Sequence, residues 1–126
     1  MEDARDLIDA AGIGPPGSLR AAVANAMVGL KKRYYGRGPE AAKAYVEDDY
    51  IFVVLDGGMT RNEETLLAAG KQDLVRQYRL TFQEVVGPTA IAAVEELTGR
   101  KVIGYHSQVT YDPFRAYEIF ALEPES

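Results

Sequence analysis

Glycine and proline cut this chain into short segments, and that punctuation limits what it can build. The breaks fall at Gly12-Ile13-Gly14-Pro15-Pro16-Gly17, Gly36-Arg37-Gly38-Pro39, Gly57-Gly58, Gly70, Gly87-Pro88 and Gly99. Glycine frees φ and proline resists continuation of a helix, so each cluster stops a regular element. Between the breaks, hydrophobic periodicity assigns the element type.

A short helix is expected over Asp3–Ala11, followed by the Gly12–Gly17 linker. Leu19, Val23, Met27, Leu30 and Tyr34 recur at helical spacing, with Ser18 as N-cap and Gly36 as the stop. Ala42–Val46 and Tyr50–Asp56 read as two strands around the polar reversal Glu47-Asp48-Asp49. The near-continuous apolar run of the second strand suggests a central position covered on both faces. Thr60 and Glu63 form a capping box that opens a helix to about Ala69. Leu74, Tyr78, Phe82 and Val85 predict the inner face of the next helix. Gly87-Pro88 is expected to close it and open another, whose inner face is Ile91, Val94 and Leu97. In Lys101–Tyr111, Ile103, Tyr105, Ser107, Val109 and Tyr111 alternate with Val102, Gly104, His106, Gln108 and Thr110. After a turn at Asp112–Arg115, Ala116–Leu122 returns as the last strand.

The order from Ser18 onward is α-β-β-α-α-α-β-β. Two hairpins separated by helices imply an α+β fold: a four-stranded antiparallel sheet with helices against one face. Residues 18–126 form one domain, preceded by the segment 1–17. One helical layer leaves one sheet face open, so a homodimer or another protein is expected to cover it.

The 126 residues contain no cysteine, which removes thiolate nucleophiles and cysteine-ligated metals. The single histidine, His106, cannot build a multi-histidine metal site, and its neighbour Ser107 points to the other strand face. The acids Glu47, Asp48 and Asp49 lack the spacing of a calcium loop. Neither a metal nor a cofactor is expected, and no catalytic set is discernible. The net charge of −5 opposes nucleic-acid binding. The charge is segregated: Arg20, Lys31, Lys32, Arg33 and Arg37 lie in a stretch without acids, and an acid-rich stretch follows from Glu40 to Glu64. No apolar run spans a bilayer and the N-terminus lacks signal-peptide character, so a cytoplasmic location is expected.

Two turns have the composition of anion sites. In the first, Arg37 and Gly38 follow a cationic helix end. In the second, Asp56-Gly57-Gly58-Met59-Thr60 leads into a helix N-terminus, where free N–H groups welcome negative charge. Arg100 is a further cation for an anionic metabolite. At both turns, ordinary turn chemistry is the competing explanation.

Three stretches carry a family likeness: Lys31-Lys32-Arg33-Tyr34-Tyr35-Gly36-Arg37-Gly38-Pro39, Val53-Val54-Leu55-Asp56-Gly57-Gly58-Met59-Thr60, and Glu95-Glu96-Leu97-Thr98-Gly99-Arg100-Lys101-Val102. Together they resemble the MpsC-like family of small bacterial and archaeal domains, over roughly Leu19 to Leu122. The family is named for a sodium-translocating, membrane-potential-generating system. The resemblance implies a non-enzymatic accessory or regulatory module with a protein partner, such as a membrane transport component, at the inner face of the membrane. It brings no catalytic residues. The alternative function is binding, or minor chemistry, of an anionic small molecule.

Overall fold

The computed structural model describes residues 18–125. The expected helix Asp3–Ala11 and its linker lie outside the described residues. The elements run α1 (Leu19–Tyr35), β1 (Ala41–Glu47), β2 (Tyr50–Asp56), α2 (Arg61–Ala68), α3 (Gln72–Thr98), β3 (Val102–Thr110) and β4 (Arg115–Leu122). The four strands form one antiparallel sheet in the order β1-β2-β4-β3, so the architecture is α+β as expected.

Local chemistry sets the helix ends. Ser18 Oγ accepts the Ala21 N–H at 3.0 Å, and Gly36 takes the left-handed conformation that ends α1. Thr60 and Glu63 complete the capping box of α2 in both directions. The helices pack on one sheet face. There Val23, Met27 and Leu30 meet Ile51, Val53, Leu55, Phe120 and Leu122, with Val86, Ala90 and Val94 of α3 closing the core. Each large apolar side chain so buried contributes about 1.5–3 kcal/mol.

Three local expectations change. The segments on either side of Gly87-Pro88 form one continuous helix of 27 residues, with Pro88 inside it. Gly87 lies against the sheet: a Cβ there would come within 3.3 Å of the Tyr105 ring, so glycine sets how closely α3 approaches β3. Second, α3 is turned from its expected orientation. Val75, Arg79, Val86, Ala90, Ala93 and Val94 are buried, while Leu74, Tyr78 and Val85 are 56%, 46% and 69% exposed. Two stripes one residue apart share this helix; the inward one carries Val75, Arg79 and Val86 and runs on into Ala90 and Val94 of the core, and Arg79 meets the buried Glu63 there. Third, a bulge between Val102 and Gly104 breaks the alternation, turning Val102 inward and leaving Ile103 59% exposed.

β2 is central, but its second face is open among the described residues. Tyr45, Tyr50 and Ile119 are exposed there, and Phe52, Val54 and Tyr117 are half-buried. Phe52 stacks on Tyr117 at 6.0 Å.

Candidate functional site

The inner face of the sheet carries a polar network at the junction of α1, α2, α3 and β4. Period-two alternation places Glu118 among Ala116, Phe120 and Leu122, and its side chain is fully buried. Tyr105 Oη donates to Glu118 Oε1 at 2.6 Å, and the Ser107 hydroxyl donates to Oε2. Lys31, one helical turn after Met27, brings its ammonium to 3.8 Å from Oε2. Burial lowers the Lys31 pKa, and the Glu118 carboxylate only partly offsets it.

The second half of the network joins two helices. Arg79 reaches Glu63 through Nε at 2.5 Å and Nη2 at 2.7 Å, a bidentate pair with both side chains buried. Burial alone would raise the Glu63 pKa. The hydrogen bonds from Arg79 and Thr60 overcome it and hold the carboxyl below its ordinary range. Arg79 also lies 4.0 Å from the Tyr35 ring centre and 5.0 Å from that of Phe114. Tyr35, held between Lys31 and Arg79, has its pKa raised by burial.

Several residues singled out in the sequence border this network. Arg37, Gly57 and Gly58 line one small cleft with Lys31 and Arg79. Gly38 belongs to the adjoining turn, where a Cβ on Gly58 would come within 3.1 Å of the Pro39 backbone. Thr60 is engaged with Glu63. Arg37 donates to the Met59 carbonyl at 2.9 Å and sits 3.7 Å from Glu64, an exposed pair linking the basic and acidic stretches.

Asp56 and Arg100 lie apart from that cleft. Asp56 is on the open sheet face, paired with Arg115 at 2.5 Å. Arg100 lies near the β1–β2 turn, donating to the Asp48 and Glu123 carbonyls and to Asp49 at 2.6 Å. His106 is exposed on the open face, while Ser107 is buried on the inner one.

The gap at the centre of the cleft is about 10 Å³, close to the room needed by one water. A buried amine with a lowered pKa is a precondition for an acid–base lysine. Here the neighbouring carboxylate is taken up by Tyr105 and Ser107, and the gap does not admit a substrate group beside Lys31. The arrangement ties α1 to the sheet through Lys31 and Glu118 and α2 to α3 through Glu63 and Arg79, with Arg79 against Tyr35 joining the two pairs. Sequence reading missed Lys31, Glu63, Arg79 and Glu118 as a set. Their signal was a charge at an inward position of an apolar period, plain for Glu118 in β4 and for Lys31 four residues after Met27.

Residues 16–124 match the family model described as "Na+-translocating membrane potential-generating system (MpsC)". No curated protein and no solved structure matches the chain. The match spans most of the sequence, and the chain belongs to the MpsC family.

Proposed function

From membership of the MpsC family, we propose that this chain is a non-enzymatic accessory module. It docks as a homodimer on a protein partner in a membrane ion-transport or potential-generating system. The observation that carries the reading is the stripe Leu74–Tyr78–Val85, which lies exposed along three turns of α3. Phe82 and Tyr35 back Tyr78, with ring centres 5.4 and 6.4 Å away. Apolar anchors at this spacing suit a groove or a second helix on a partner. No helix among the described residues is long and apolar enough to cross a membrane. On this reading the module binds its partner from the inner face of the membrane.

The test is co-purification of tagged protein from native membranes, wild type against the Leu74→Glu/Val85→Glu variant. The expected result is recovery of a membrane transport component by the wild type only. The reading fails if no such component is recovered, or if the variant, folded by circular dichroism, recovers it equally.

A second reading draws on exposed Arg37 beside the Gly57-Gly58 turn, Lys31 and Arg79 being taken up by Glu118 and Glu63. An anionic small molecule bound at Arg37, Gly57 and Gly58 would stabilise the fold by about 2.7 kcal/mol at 100 times its Kd. A thermal-shift series of phosphates, nucleotides and carboxylates decides it. A flat series retires the idea.

A further inference from the structure

The open sheet face is neutral, apolar at its centre and patterned to meet itself. Across the strands, the register sets out four rows: Ala41, Asp56, Arg115 and Thr110 at one end, and beyond it a set of three, namely Lys43, Val54, Tyr117 and Gln108; then Tyr45, Phe52, Ile119 and His106; then Glu47, Tyr50, Ala121 and Gly104. The middle row is the apolar one. Lys43 and Arg115 balance Glu47 and Asp56 on this face, although the whole chain carries −5. Two copies therefore bring together faces without the charge that separates the rest of their surfaces.

We infer that a second copy of this chain packs on this face, sheet against sheet, about a twofold axis lying along the middle row. That axis reverses the strands and stacks each strand on its own counterpart, within the aligned class of sheet packing. The outer rows then exchange. Lys43 faces Glu47 of the second copy, and Glu47 faces Lys43, giving two opposite-charge contacts per dimer. Tyr117 faces Ala121 and Gln108 faces Gly104, so large side chains meet small ones, as interdigitating layers require. Tyr45, Phe52 and Ile119 bury one another at the centre, where anchors contribute most.

This rests on the homodimer reading above and adds the face and the register. The α3 stripe stays on the other side of the sheet, free for a different protein. The experiment is sedimentation velocity over a concentration series with full-length protein. Wild type is expected to dimerise. Lys43→Glu and Glu47→Lys each set like charges face to face twice per dimer and weaken association at least tenfold. The double exchange Lys43→Glu/Glu47→Lys restores it. Ile119→Asp abolishes the dimer and Tyr78→Glu leaves it intact, with circular dichroism reporting the fold of each variant. A wild type that stays monomeric throughout overturns the homodimer itself. A dimer that persists in Ile119→Asp, or fails in Tyr78→Glu, overturns the face. A double exchange no tighter than the singles overturns the register.

Discussion

Glu118 shows what a buried charge demands. With no exposed surface it needs every partner it has, and Tyr105, Ser107 and Lys31 converge on its two oxygens. Removing one member of a buried ion pair leaves the other charged and desolvated, at a cost of about 3–5 kcal/mol. Glu118→Ala is expected to lose that much in urea denaturation, and adding Lys31→Met to recover part of it. Equal destabilisation of single and double variants would contradict the coupling. Glu63 gives the pH dependence. Its native pKa lies below the ordinary 4.5, so between the two values the unfolded chain binds more protons than the native one. Its contribution is whole above 4.5 and is lost as pH falls through the lowered value. Glu63→Gln keeps an acceptor for the cap but not the charge, and is expected to flatten the acid limb of stability against pH. Lys31 acts at the other end. Its native pKa is lowered from 10.5, so stability rises with pH between the lowered value and 10.5.

At the scale of elements, the turns separate conformational strain from steric contact. Gly58 and Gly70 both have positive φ, +86° and +76°. An added Cβ at Gly58 meets the Pro39 backbone at 3.1 Å, whereas at Gly70 nothing lies within 4 Å. Gly70→Ala is expected to cost about 1–2 kcal/mol, the left-handed penalty alone. Gly58→Ala adds a tight contact that the Pro39 main chain relieves only by shifting a few tenths of an ångström, and its loss in chemical denaturation is expected to exceed that of Gly70→Ala. Equal losses would show that the two turns give way instead of holding contact. The helices carry the same lesson about context. The capping box at Thr60 and Glu63 was legible because both of its hydrogen bonds join residues three apart. The inward face of α3 was not, because Leu74–Tyr78–Val85 and Val75–Arg79–Val86 are both periodic. The choice depends on distant contacts: Glu63, sixteen residues before Arg79, and the apolar core that Val86 and Ala90 enter.

For the whole molecule, Arg100 ties distant parts of the chain. It links the β1–β2 turn, through Asp48 and Asp49, to the Glu123 carbonyl after β4. Hydrogen bonds from a charged donor contribute about 1.5–3 kcal/mol each at most, and this side chain is largely covered. Arg100→Ala is expected to speed amide hydrogen exchange at Asp48–Tyr50 and Leu122–Glu123 while leaving α1 protected. Uniform acceleration across the chain would mean instead that Arg100 holds the global fold.

The sequence by itself determined what local physics encodes. Gly36, Gly70 and Gly99 stop helices, Ser18 and Thr60 start them, period-two runs make strands, and two hairpins enforce antiparallel pairing. These follow from backbone sterics and from hydrogen bonds between near neighbours, which act whatever surrounds them. Tertiary structure decided the β1-β2-β4-β3 order, the continuity of α3 through Pro88, and the meeting of Lys31 with Glu118 and Arg79 with Glu63. It also decided that one sheet face and one helical stripe stay open. Those outcomes depend on which distant groups must be buried together, and the free energy of burying a charge or an apolar face is set only when its partner arrives.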